Sequence, residues 1–127
     1  MNGPKDTYAD IAGLCLESWP HTGRGRIEAH LTYIGDIDLS EPDYSFDLLR
    51  FYVRKSDGMV LYATDSGCSC PSPFEDTTVA ELKETTLAGV ERVARLVHSE
   101  GYGSIPVLEV VQAARALMPA MREAGAR

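Results

Sequence analysis

"YSFDLLRFYVR", residues 44–54, carries large apolar side chains at both odd and even positions. In an extended chain successive side chains point to opposite sides. Phe46, Leu48 and Tyr52 therefore point one way, and Leu49, Phe51 and Val53 point the other. A strand with two apolar faces is central to its sheet and covered on both sides. The rest of the chain must supply neighbours for this strand and a layer over each of its faces.

The neighbours lie on either side in sequence. "KSDG", Lys55 to Gly58, makes a tight hairpin turn in which Gly58 supplies positive φ. "MVLYAT", residues 59–64, is the returning strand. Upstream, "IEAHLTYIGDI", residues 27–37, alternates Ile27, Ala29, Leu31 and Tyr33 against Glu28, His30 and Thr32, which predicts a first strand. "DIDLSEPD", residues 36–43, is the polar connection between them. Its acids do not have the spacing of a calcium-binding loop, so it reads as solvated chain. Residues 27–64 thus form a three-stranded antiparallel meander.

The covering layers are helical. Residues 6–19 place Tyr8, Ile11, Ala12, Cys15, Leu16 and Trp19 at steps of three and four, with Thr7 and Asp10 as a capping pair. Gly13 weakens this helix and Pro20 ends it. Residues 77–123 predict two more helices. Thr78 and Glu81 form a capping box, and Val79, Leu82, Thr86, Val90, Val93 and Val97 make a buried stripe that stops at Gly101. The next helix opens near Ser104 or Pro106 and runs through Val107, Val110, Val111, Ala114, Leu117 and Met121. Pro119 has no N–H for the carbonyl of Arg115, which predicts a kink or an end there, with "REAGAR" fraying beyond. The fold class is α+β, in one domain over 1–127: a meander with the N-terminal helix on one face and the C-terminal pair on the other.

The chain has 19 Asp and Glu against 12 Lys and Arg, for a net charge of −7. That balance argues against direct nucleic-acid binding, which depends on cations displacing counterions. "GRGR", residues 23–26, is read as a solvated loop. The N-terminus lacks a basic start followed by an apolar run, and no stretch is long enough to span a bilayer. The expected location is the cytoplasm, where thiols stay reduced. Three cysteines, an odd number, also fit no disulfide framework.

Two of those cysteines lie in "DSGCSCPSPFED", residues 65–76. As a metal site, Cys68 and Cys70 supply two zinc ligands, set closer together than paired ligands usually are. The remaining candidates, Cys15, His21, His30 and His98, are distant in sequence. As a reactive thiol, the loop needs a base, and His98 is the nearest by expected topology. As a structural element, Asp65, Ser66 and Gly67 turn the chain out of the third strand. Pro71 and Pro73 then hold it extended, and Phe74 anchors the far end in the core. The structural reading makes Asp65, Ser66, Gly67, Cys68, Ser69, Cys70, Pro71, Pro73 and Phe74 a stiff bridge and a candidate contact surface, without catalytic residues.

"YSFDLL…YVRKSDGMVLYATDSGCSCPSPFED", residues 44–76, resembles a family of short uncharacterised proteins of actinobacterial phages and genomes that carry a "DSGCSCPxPFE" signature. The resemblance implies a phage or prophage setting, hence the cytoplasm of a bacterial host. With no complete catalytic constellation in the chain, the expected function is a non-enzymatic protein-binding module using the 65–74 loop. Its acidic surface would steer it to a basic protein partner. No cofactor is expected in that reading. Two others compete: a thiol- or zinc-dependent enzyme centred on Cys68 and Cys70, and a virion structural or assembly component, a homodimer through its last helix.

Overall fold

The computed structural model of the protein describes residues 6–17, 23–39, 45–68, 73–100 and 105–127. Strands β1 (Leu31–Asp38), β2 (Ser45–Arg54), β3 (Val60–Cys68) and β4 (Lys83–Thr85) form one antiparallel sheet in that order. Helix α1 (Gly25–His30) precedes the sheet. Helices α2 (Val90–Glu100) and α3 (Val107–Glu123) follow it.

The two-faced pattern of β2 is realised as expected. Leu49, Phe51 and Val53 pack with Val60 of β3 against Val90, Val93 and Ala94 of α2 and Val110, Ala114 and Met121 of α3. On the opposite face Tyr52, Leu61 and Ala63 pack against Ile11, Leu16, Ile27, Phe74 and Val79. Met121 is fully buried, which places it in this core. Among the described residues, no helix is long and apolar enough to cross a membrane.

Several elements differ from the sequence expectation. The sheet has four strands, not three. The Thr78–Glu81 capping box is present, but it closes only one 3-10 turn, Val79–Glu81. Residues 83–85 then pair with the free edge of β3, Val60 opposite Thr85. The open edge of a sheet is a stronger local partner for three polar residues than an exposed helical turn. The long helix therefore begins only at Val90. Upstream, residues 27–30 are helical rather than extended. Ile27 and Leu31, four apart, are both buried in the same cluster, which a short helix leading into β1 achieves as well as a strand does.

The segment 6–19 is not one helix. A 3-10 turn, Tyr8–Ile11, capped by Thr7 and Asp10, is followed by chain that runs alongside residues 77–79. There Leu16 donates to the Thr77 carbonyl at 2.8 Å and Val79 to that of Leu14 at 2.9 Å. Ser18, Trp19 and Pro20 lie outside the described residues.

Helix α3 runs through Pro119 to Glu123, and the tail does not fray. Gly125, at φ 87°, closes a Schellman motif in which Ala126 donates to Met121 and Gly125 to Arg122. Arg127 then donates to the Gly58 carbonyl at 2.9 Å, and its own carbonyl accepts from Leu87 at 2.8 Å. The β2–β3 turn thus holds the tail. Gly58 has φ 77°, and a Cβ there would collide with the carbonyl oxygen of Gly125. Gly58→Ala is expected to cost about 2–3 kcal/mol, from a left-handed alanine and a displaced tail. A urea unfolding midpoint measures it, and an unchanged midpoint would mean that the tail does not need this contact.

Candidate functional site

Alternation along β2 puts Leu48, Arg50, Tyr52 and Arg54 on the face covered by the N-terminal segment. Arg50 sits mid-strand and is 8% exposed, the one buried charged residue among those described. A buried guanidinium must find partners for its donors. Its Nε donates to Asp36 Oδ1 at 2.8 Å and Nη2 to Asp36 Oδ2 at 3.1 Å, a two-point fork. Nη1 donates to Glu17 Oε1 at 2.7 Å and, more distantly, to the Tyr52 hydroxyl at 3.4 Å. The Phe74 ring lies 4.3 Å from the guanidinium carbon and the Tyr33 ring 5.1 Å from it.

The approach of Asp36 depends on a β-bulge. Tyr33 pairs with Tyr52, but the register shifts before Gly35, which pairs with Phe51. The extra residue reverses the alternation of β1, so that Asp36 stands opposite Arg50. At the bulge, Gly35 lets α3 approach: a Cβ there would lie 2.9 Å from Leu117 Cδ2. Glu17 arrives from the N-terminal segment, next to buried Leu16.

The electrostatics follow from this packing. Burial works against the charge of Arg50, and Asp36 and Glu17 more than offset it, so its pKa lies above the ordinary value. Burial and the neighbouring charge of Asp36 push the Tyr33 phenol up to about 12. Burial also raises that of Tyr52, against the pull of Arg50. At the end of β2, Arg54 pairs with Asp57 and Glu84, each at 2.8 Å, and lies 4.8 Å from the Tyr8 ring. Hydrogen bonding to Arg54 holds Asp57 down at about 2.

Beside Arg50 a cleft of about 300 Å³ opens to solvent. It is lined by Glu17, Glu28, Tyr33, Arg50 and Tyr52, and by the aliphatic side chains of Leu16, Ile27 and Leu31.

The cysteine segment meets this site at one end. Asp65, Ser66 and Gly67, expected as a turn, are strand residues: β3 continues to Cys68, which pairs with Ser45. Asp65 Oδ1 accepts from the Ser66 amide at 3.0 Å, and Oδ2 accepts from the Phe74 amide at 2.7 Å. Phe74 is fully buried, as expected, and at φ 61° it is held in a conformation that aromatic residues rarely adopt. Pro73 is half-buried beside it. Ser69, Cys70 and Pro71 lie outside the described residues, as does His21, and for Cys68 only the backbone is described.

His98, the base considered for a thiol, lies in α2, across the sheet from Phe74, and its Nε2 donates to the Ile105 carbonyl at 2.6 Å. His30 stands against Tyr8, with ring centroids 6.4 Å apart. Cys15 forms a backbone bridge with Thr78. Among the described residues no three His, Cys, Asp or Glu side chains form a group that could hold a metal.

Arg50, Asp36 and Glu17 escaped the sequence reading. The signal for Arg50 was available: a lone cation between Leu49 and Phe51, in a strand covered on both faces, needs buried counter-charges. No curated protein and no solved structure matches the chain. A family model, "Domain of unknown function (DUF7574)", matches residues 26–124. That span holds all four strands, both long helices, Asp36, Arg50 and Phe74, and leaves Glu17 outside. With most of its length and the whole sheet inside the match, the chain belongs to the DUF7574 domain family.

Proposed function

We propose that this domain is a non-enzymatic protein-binding module, encoded by a phage or prophage and acting on a host or phage protein in the bacterial cytoplasm. Its contact surface is the segment from Asp65 to Phe74, the end of β3 and the loop that follows it. The observation that carries the reading is the clamp at the loop's two ends. One end is a paired strand, with Cys68 opposite Ser45. The other is Phe74, buried and tied by its amide to the Asp65 carboxylate at 2.7 Å. A segment whose ends are fixed loses little conformational freedom on binding, which favours affinity. The net charge of −7 favours a basic partner and makes association salt-sensitive.

The test is capture from a host lysate by the folded domain and by Ser66→Arg, which changes an exposed β3 residue within the proposed contact segment. A protein retained by the wild type, lost with the variant and released by rising salt supports the reading. Identical capture by both overturns it. So does stoichiometric zinc in the purified protein that disappears when Cys68 or Cys70 is replaced, since the loop would then be a metal centre.

A further inference from the structure

The cleft beside Arg50 holds more acid than the arginine uses. The guanidinium donates from Nε and Nη2 to Asp36 and from Nη1 to Glu17 and Tyr52. An incoming anion would compete with carboxylates already in place. A cation meets the opposite situation. Glu17 commits Oε1 to Arg50, and its side chain stays 35% exposed. Glu28 is exposed in α1, and among the described residues its carboxylate has no hydrogen-bond or ion-pair partner. Lys55 bonds to the backbone carbonyl of Glu28, at 2.6 Å, not to its side chain.

The rings add to this. Tyr33 and Tyr52 meet edge to face, 5.7 Å between centroids, and Tyr33 is 53% exposed. Tyrosine rings attract cations through their faces. The aliphatic lining suits the methylene stem of a long cationic side chain. A cleft of about 300 Å³ is at the small end of the range for ligand sites, enough for one side chain.

We infer that this cleft receives an arginine or lysine side chain of the bound protein, between Glu17 and Glu28 and against Tyr33. The inference rests on the protein-binding reading for its partner, and on the cleft for its chemistry.

The test titrates the intact domain with three probes: Nα-acetylarginine methylamide, Nα-acetyllysine methylamide and Nα-acetylglutamate methylamide. The ring resonances of Tyr33 and Tyr52 report binding. The expected result is saturable shifts with the two cationic probes, none with the glutamate probe, and affinity about threefold weaker in Glu28→Gln. Glu28 is exposed, so this variant keeps the fold. Absence of saturable shifts with either cation, equal shifts with the glutamate probe, or unchanged affinity in Glu28→Gln overturns the inference. The two proposals fail separately. A wrong contact loop shows as identical capture by wild type and Ser66→Arg, with the titrations unaffected. A wrong cleft shows in the titrations, with loop-dependent capture intact.

Discussion

Arg50→Ala is expected to lower the unfolding free energy by about 3–5 kcal/mol, the scale for removing one partner of a buried ion pair. The variant leaves Asp36 and Glu17 facing each other without their shared cation. It also strips the guanidinium from the faces of Phe74 and Tyr33. The loss comes from stranded charge more than from lost attraction, because taking ions out of water offsets much of what their pairing returns. A second variant separates these contributions. Arg50→Met combined with Asp36→Leu removes both charges of the fork, the buried guanidinium and its partly buried carboxylate, and should recover a large part of the stability lost in Arg50→Met alone. Urea denaturation of the three variants measures this. A loss below about 1 kcal/mol for Arg50→Ala would mean that the carboxylates reach water freely, as surface pairs do.

Phe74→Ala is expected to cost about 3–5 kcal/mol, the range for deleting a buried aromatic side chain. Phe74 is fully buried and stacks on Arg50 at 4.3 Å. The two substitutions should therefore not add: a double-mutant cycle with Arg50→Ala is expected to show a coupling of about 0.5–1 kcal/mol or more. The backbone supplies a further check. At φ 61° an alanine keeps the left-handed strain while a glycine does not, so Phe74→Gly should be no less stable than Phe74→Ala. If the alanine variant is clearly the more stable of the two, the conformation of residue 74 is not the one described. The same variant bears on function, since it frees one end of the loop and should abolish loop-dependent capture even where the domain remains folded.

Much of the architecture was legible from short-range pattern. The central strand announced itself through alternating apolar residues at 46–53, the hairpin through Gly58, and α3 through its three- and four-residue spacing. The misreadings share a cause. Val79, Leu82 and Thr86 fit a helical stripe, yet Lys83–Thr85 answers to the edge of β3. Ile27 to His30 fits an alternation too short to separate helix from strand. In the candidate site, Phe74 was placed correctly because a large aromatic after two prolines has few alternatives to burial. Asp36 was assigned to a solvated connection because nothing local marks the bulge that turns it inward.

By itself the sequence determined that one strand would be covered on both faces, with the N-terminal segment on one side and the C-terminal helices on the other. Side-chain alternation and the turn geometry of glycine are properties of adjacent residues, and they act wherever the chain lies. Only the tertiary structure decided that Arg50 would be held by Asp36 across a shifted register and by Glu17 from a distant segment. It likewise decided that the tail would lie on the Gly58 turn. Those pairings join residues far apart in the chain, and their energy exists only once the sheet has brought them together.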